Sequence, residues 1–449
     1  MASIASALER IKQSPLSILK QKAIEQICRE HGHCWRDRQI DPATTIALFV
    51  QQVLHGNTPC SEVRHIAGAS FTTQAYSAAR IRLPLEVYQH LLTAVHEVVE
   101  PLTSKVEYLW HGHRTFHVDG STFSMPDTAE LQKAFGMPSG QKKGCGFPVA
   151  HLLVLFSAAT GMMFNAWASP LRTGDISQMS EVHPHLRIND ILIGDDSFSN
   201  YTHLAMLKQQ GLHGLFPSHH LRIVDFKKGR PYSPEGKNAI KGLPRSRWIK
   251  SLGKQDQLVE YFKPRDKPVW ISQQEYDALP DSIIVRELRR TVRRPGLGSV
   301  TLTLVTTLLE PKKYSAEELL ELRLRRWDVE TDLGHLKTTM KMDVLRCKTE
   351  AGVRKELAVF CLVYNCVRVV MLEAAKRQSV PVSRISFADA YKWMRHARAG
   401  DELPPLIVNP ARPDRREPRC RKRRPKEYDL MNEPRAVLRK KLKNKRKRR

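Results

Sequence analysis

Between Arg114 and Pro217 the order of apolar runs and turn residues limits the fold more than any other stretch of the chain. RTFHVDGSTFSM reads as a strand running into Asp119 and a Gly-containing turn, and AHLLVLFSAATGMMFNAWAS as a hairpin turning at Ala159, Thr160 and Gly161. DILIGDD is another strand ending in acid, NYTHLAMLKQQG a helix ended by Gly211, and GLFP a short apolar strand. Strand, hairpin, strand, helix, strand is the order of a mixed α/β core.

The flanks have other textures. A chain of 449 residues with 41% hydrophobic content can bury more than one core, and this length suggests about two to four domains. Residues 1–105 alternate helical patterns with short breaks, and we read them as a helical, DNA-binding N-terminal domain. Within it SEVRHIAG and TTQAYSAARIRLP form two helices joined by a tight turn, with Thr72 or Thr73 as N-cap. This pair is either a helix-turn-helix carrying Arg64, Arg80 and Arg82 towards DNA or an ordinary helical hairpin. Residues 106–217 form the first part of the α/β core. Residues 218–310 are β-rich, with LVEYF, PVWIS, SIIVREL and SVTLTLVTTLL separated by Pro, Gly and basic clusters, and read as an insertion. Residues 311–395 return to helices and complete the core, and 396–449 form a basic C-terminal tail.

Lys and Arg number 73 against 46 Asp and Glu, a net charge of +27. The natural partner of such a chain is a polyanion, nucleic acid first and a membrane surface second. From Arg412 to Arg449 there are 19 basic and 5 acidic residues, so this tail holds +14 of the +27 and reads as an electrostatic arm. We find no stretch of the roughly 20 apolar residues that span a bilayer; TTIALFVQQVL is too short and carries two glutamines. The N-terminus has no basic region followed by an apolar run and a cleavage site, which points to an intracellular protein. The eight cysteines are scattered, without a C-x-x-C pair. Cys28, His31, His33 and Cys34 invite a zinc reading, but two of the four are adjacent and no second half-site follows, so reduced structural cysteines are the default.

In RRWDVETDLGHLK, Arg325 to Lys337, the helical period puts Val329, Leu333 and Leu336 in one sector with Leu322 and Met340. Arg326, Glu330 and Lys337 line the edge of that sector, where a core meets a cleft. Two readings fit: an i,i+4 Arg–Glu brace with a nearby lysine, or a carboxylate flanked by phosphate-binding cations. Asp119 in HVDGS and Asp195 or Asp196 in IGDDSF stand at strand ends, where loops and ligands meet. Taken singly, each acid also fits a turn or a helix cap. If Asp119, Asp195 and Glu330 converge, their repulsion calls for a cation, and an all-oxygen set selects Mg²⁺ or Mn²⁺. A pair of such ions about 4 Å apart supports in-line displacement at a phosphodiester.

Taken together, HVDGSTFSMPD, ILIGDDSF and RRWDVETDLGHLK, with a β-rich run before the last, resemble the DDE transposases of bacterial insertion sequences. The likeness is to the large group with a ribonuclease H-like catalytic domain and a Tyr-Arg-Glu-Lys signature on its last catalytic helix. It also extends to CWRDRQIDPATT and MKMDVLRCKTEAGVRKEL. The resemblance implies a ribonuclease H-like mixed sheet with helices, with Asp119, Asp195 and Glu330 as catalytic and metal-binding acids. Arg326 and Lys337 take the signature's arginine and lysine as DNA-binding residues. Arg323 stands at the tyrosine position, and Asp196 where the group usually has arginine. Further implied are Mg²⁺ with Mn²⁺ as a substitute, double-stranded DNA at transposon ends and target, a homodimer in the DNA complex and no membrane role.

The expected function is cut-and-paste transposition, with cleavage at the element's ends and transfer of the exposed 3′-hydroxyl into target DNA. In relatives of this group a β insertion accompanies a hairpin at the transposon end, and Trp248 and Trp270 are candidates for stacking on a flipped base as well as for ordinary packing. Two alternatives are a domesticated DNA-binding regulator, which predicts loss of an acid, and a metal-dependent nuclease without strand transfer, which uses the same site.

Overall fold

The computed structural model describes residues 21–36, 39–68, 70–103, 105–140, 142, 144–234, 240–294, 298–397, 401–410 and 431–447. Much of the basic tail, from 412 to 430 and at 448–449, lies outside the described residues.

Among the described residues five helices come first: α1 (Gln21–Glu30), α2 (Pro42–Leu54), α3 (Cys60–Ala67), α4 (Thr73–Arg82) and α5 (Leu85–Thr103). Asp41 starts α2 by accepting the Thr44 N–H at 2.6 Å, with Pro42 preset for the first turn, and the whole of α2 is buried. The α3–α4 pair forms as read, with Thr72 as the cap that accepts the Ala75 N–H and Gly68 closing α3 at φ +60°. Its arginines do not act together, however. Arg80 turns inward, its guanidinium 3.6 Å from the Phe49 ring centre and donating to Gln52 Oε1 at 3.1 Å, and it lines a cleft between these helices and the core. Arg64 and Arg82 are exposed.

The remaining elements are β1 (Thr115–Ser124), α6 (Ala129–Phe135), β2 (Val149–Ser157), β3 (Met163–Pro170), β4 (Ile191–Ile193), α7 (Tyr201–Gln209), β5 (His213–Pro217), β6 (Arg247–Gly253), β7 (Asp256–Phe262), β8 (Ser282–Arg294), β9 (Gly298–Thr306), α8 (Ala316–Leu324), α9 (Trp327–Gly334), α10 (Glu350–Gln378), α11 (Phe387–His396) and α12 (Arg435–Lys447). One nine-stranded mixed sheet has the order β3-β2-β1-β4-β5-β9-β8-β7-β6. β1, β2 and β3 are antiparallel neighbours, and β4 and β5 run parallel to β1, which is the ribonuclease H-like order. The β-rich run continues the same sheet, because β9 pairs antiparallel with β5 at Leu215↔Thr306. PVWIS is not one of its strands: Val269 is almost fully exposed, and Trp270 packs on the core cluster that includes Tyr276 and Leu279.

The period of two in each strand sorts side chains between the faces. Phe123, Val154 and Phe156 pack with Val329, Leu333 and Leu336 and with Phe360 and Val363 of α10. Val118, Leu153 and Leu155 face the other way, towards Leu204 and Leu207 of α7. Leu319 and Leu322 of α8 cover Ile191, Ile193 and Leu215. Each such fully buried side chain contributes about 1.5–3 kcal/mol. By length and composition the 29-residue α10 is also apolar enough to cross a bilayer, which the sequence reading did not anticipate; 78% of its most apolar window is buried inside the protein.

The apolar sector from Leu322 to Met340 is buried as expected, but it does not belong to one straight helix. α8 ends at Leu324, capped by Arg325, and the Arg326, Asp328 and Val329 N–H groups donate to the Arg323, Arg325 and Arg326 carbonyls in tight i+3 turns as α9 begins. His335–Thr339 then widens into a π turn that carries Lys337.

Candidate active site

Asp119 does not stand at a strand end as expected: β1 runs on through Gly120 to Ser124 and pairs Asp119 with Val154 of β2, whereas Asp195 follows the end of β4. β1 pairs in parallel with β4 at Thr115↔Ile191, Phe116↔Leu192 and His117↔Ile193, and just beyond this pairing Asp195 comes close enough for its charge to act on Asp119. Neighbouring strands lie about 4.8 Å apart. The far end of this pairing is pinned by Arg114, which donates to Asp190 at 2.8 Å and to Glu100 at 2.9 Å. Gly194 lets the chain turn here, since a Cβ at that position would overlap Phe198 and Val118. Asp195 caps the following turn by accepting the Ser197 N–H (3.0 Å) and hydroxyl (2.6 Å). Asp196 leads elsewhere, to His220 Nδ1 at 3.3 Å.

Alternation puts Asp119 and Ser121 on the face covered by α9. Arg326 Nη1 donates to Asp119 Oδ2 at 2.8 Å, while its Nη2 lies 3.7 Å from Glu330 Oε1, so one guanidinium spans the two acids. Lys337 Nζ donates to Ser121 Oγ at 3.1 Å. The predicted stripe therefore meets the middle of β1, Arg326 at Asp119 and Lys337 at Ser121. Glu330 keeps 45% of its side chain exposed, against 16% for Asp119. Arg323, at the end of α8, stands close enough for its charge to act on His117, together with Arg325 and Arg326.

Asp119 is held above the usual carboxylate range. Burial is the main cause, and Asp195 and Asp175 push the same way, while Arg326 and the Gly120 N–H oppose it. A desolvated carboxyl crowded by other acids is a site short of positive charge, and Arg326 is the stand-in cation wedged into it. Asp119, Asp195 and Glu330 offer oxygen donors only, a set that fits a hard divalent metal ion.

Three features escaped the sequence reading. Asp175 sits over Gly120, where a Cβ would overlap its carboxylate, and pairs with His151 Nε2 at 2.5 Å. His117, two residues before Asp119, is buried beneath the arginines; burial, then the charges of Arg325, Arg323 and Arg326, lower its pKa to about 3, so it is neutral. Asp332 and Arg368 form a buried ion pair, with Arg368 Nε donating to the Tyr364 hydroxyl at 2.9 Å. The period-2 alternation in HVDGS already marked His117 as sharing a face with Asp119. Nothing local marked the other two, whose partners are distant in sequence.

A basic cleft of about 1460 Å³ opens beside the π turn, between the N-terminal helices and the core, and Lys337, Lys341, Arg346, Lys348 and Lys355 contribute to its walls. Its 345–347 segment is fixed by Glu356, which accepts the Arg346 and Cys347 N–H groups at 3.0 and 2.8 Å and the Asn57 amide at 2.6 Å. Trp248 sits in β6 opposite Val259 and is half-buried. The zinc reading of the N-terminal set is not supported, because the four residues do not converge among the described residues. Cys28 is buried with its thiol pushed up to about 11 by burial, His31 bonds His90 at 3.1 Å, and His33 stacks on Trp35.

Comparison with known proteins gives a consistent picture. The chain is 23% identical over 292 residues to the transposase InsG for insertion sequence element IS4 of Escherichia coli (strain K12), covering 62% of this chain and 59% of that protein. It is 29% identical over 112 residues to the putative transposase InsZ of the same organism, covering 24% of this chain and 38% of that one. The chain thus spans about three fifths or less of the length of these relatives. Among solved structures, a piggyBac transposase synaptic complex with hairpin DNA aligns over 88% of this chain and 80% of that one, at 9% identity and a TM-score of 0.42. The sequence profile described as "Transposase DDE domain" matches residues 110–366, a span that contains Asp119, Asp195, Arg326, Glu330 and Lys337. With more than half of its length matched by that profile, the chain belongs to the DDE-domain transposase family.

Proposed function

We propose that this chain is a transposase that cuts DNA at the ends of its own insertion sequence and joins the exposed 3′-hydroxyl to target DNA, a cut-and-paste reaction. The observation that carries this reading is that Asp119 lies within reach of the Asp195 charge and is joined to Glu330 through Arg326. Metal dependence goes with the family, and here Asp119, Asp195 and Glu330 would hold the ion, Mg²⁺ with Mn²⁺ able to substitute. When bound, such ions activate the attacking water or hydroxyl and stabilise the leaving oxygen.

The chain's own residues supply the rest. Arg326 and Lys337 bind the phosphates flanking the scissile bond, as charge-assisted donors to phosphate oxygens. Arg323 adds a further positive group on the same side. The basic cleft takes the duplex beside the π turn, and the tail adds sequence-independent affinity. We assign residues 1–105 to DNA binding, 106–217 and 311–395 to the catalytic core, 218–310 to a β insertion and 396–449 to the tail. The working assembly is a homodimer on DNA in the cytoplasm, at the nucleoid.

Glu330→Gln tests this reading, since it preserves size while removing the charge. The variant should bind a duplex carrying the element's end as the native protein does, yet neither cleave it nor transfer strands with Mg²⁺, and the native protein with Ca²⁺ should behave likewise. Cleavage by Glu330→Gln in Mg²⁺ would overturn the assignment. A nuclease without strand transfer would cut the end but leave it unjoined in the same assay, and inverted repeats flanking the gene would count against a domesticated regulator.

A further inference from the structure

A second cluster of donors stands next to the catalytic acids but does not share their chemistry. Asp196 leaves the turn after β4, while His219 and His220 leave the loop after β5. One ligand atom from each lies within 4.8 Å of the other two. The two imidazoles stack at 4.4 Å, and His220 Nδ1 is 3.3 Å from Asp196 Oδ2. Backbone bonds bring the two segments together: the His219 N–H donates to Ser199 Oγ at 3.1 Å, and that hydroxyl donates to the Asp196 carbonyl at 2.8 Å. Parallel pairing of β4 with β5 sets both loops at the same end of the sheet.

We infer that Asp196, His219 and His220 form a binding site for a borderline transition-metal ion such as Zn²⁺ or Co²⁺, separate from the acids that face Arg326. Two imidazoles and one carboxylate are the donor set of such ions, whereas Mg²⁺ prefers oxygen alone. Donors about 2.1 Å from a tetrahedral ion lie about 3.4 Å from one another, so the observed spread closes with small side-chain rotations. The cluster is open enough for these, since His220 retains 72% and Asp196 38% of its side-chain exposure. One weak contact must yield if His219 binds through Nδ1, which now accepts the Leu221 N–H at 3.3 Å. A bound cation would also place positive charge beside a turn where two aspartates are consecutive. It would clamp the loop after β5 onto the turn that carries Asp195.

The test is a Co²⁺ titration of the full-length protein in excess Mg²⁺, followed by visible d–d absorption, with Zn²⁺ as competitor. The native protein should bind about one Co²⁺ per chain, displaced by Zn²⁺, and Glu330→Gln should bind it equally. His219→Ala, His220→Ala and Asp196→Asn should each weaken binding by more than the roughly 10–100-fold typical of losing an outer-shell partner. Circular dichroism in metal-free buffer should match the native spectrum for at least Asp196→Asn, which keeps the shape of the turn. Absence of a Co²⁺ band in the native protein, or unchanged titration of the His219→Ala/His220→Ala double variant, would overturn the site.

Discussion

Asp119 shows what one carboxyl gives up by its position. Its folded-state pKa lies above that of an unfolded aspartate, chiefly through burial, so the folded protein holds the proton more tightly than the unfolded chain does. Stability from this group is therefore full at low pH and is lost as pH rises from the unfolded value through the folded one. At neutral pH, without divalent ions, the ionised carboxylate is a net liability. Asp119→Asn should then melt at a higher temperature than the native protein in chelator, while Mg²⁺ should stabilise the native protein and leave the variant unmoved. A variant that melts lower in chelator would mean that the Arg326 pair outweighs desolvation. HVDGS could be read for the face that carries Asp119, because alternation is local, but its glycine is not the expected turn: Gly120 continues β1 and instead makes room for Asp175. The Asp175–His151 pair over Gly120 could not be read, since it depends on chain segments that meet only in the folded sheet.

Among the elements, the segment that follows the π turn is held by backbone bonds to Ser124 and by the Glu356 carboxylate. Glu356 is 1% exposed and satisfies donors from Arg346, Cys347 and Asn57, so it ties α10 to the cleft wall and to the end of α2. Glu356→Ala leaves those donors without an acceptor and should cost about 1–3 kcal/mol, measurable by denaturant unfolding. A loss of a few tenths would show that water replaces the carboxylate. Strand order from β1 to β5 was legible because each run has its own period, but the short helix α6 between β1 and β2 was not read. The joint at Arg325–Arg326 was not, because the apolar sector continues across it unchanged. The β-rich run was recognised as strands but not as a continuation of the core sheet, since pairing of β9 with β5 is a long-range contact that period-2 patterning leaves open.

For the whole molecule, buried histidines set the response to acid. His117 and His203 have pKa values lowered to about 3 and His183 to about 4, in each case mainly by burial, and His183 and His203 meet at 3.1 Å between their Nε2 atoms. The sign is the reverse of that at Asp119: the unfolded chain takes up protons that the folded one refuses. Stability is lost as pH falls from the unfolded value of about 6.5 towards the folded values, with a slope of up to about 1.4 kcal/mol per pH unit for each histidine. Thermal melts across this range should show a steep decline, and His117→Gln should make it shallower. An unchanged slope in that variant would remove His117 from the account.

The guanidinium of Arg326 gives the resting protein an internal counterion, and this bears on when the enzyme is armed. Ambient divalent ions must compete with a tethered positive charge, so their apparent affinity falls by the fraction of molecules in which that charge has moved away. A DNA phosphate that draws the guanidinium off Asp119 and Glu330 removes the competitor, and metal and substrate then bind with positive coupling. Arg326→Ala should bind Mn²⁺ more tightly than the native protein in the absence of DNA, yet process a bound end more slowly; equal Mn²⁺ affinity would show that the arginine is no competitor. If the proposed activity holds, the same contact that neutralises the acids acts as a safety catch, leaving the site without its metal until DNA is in place.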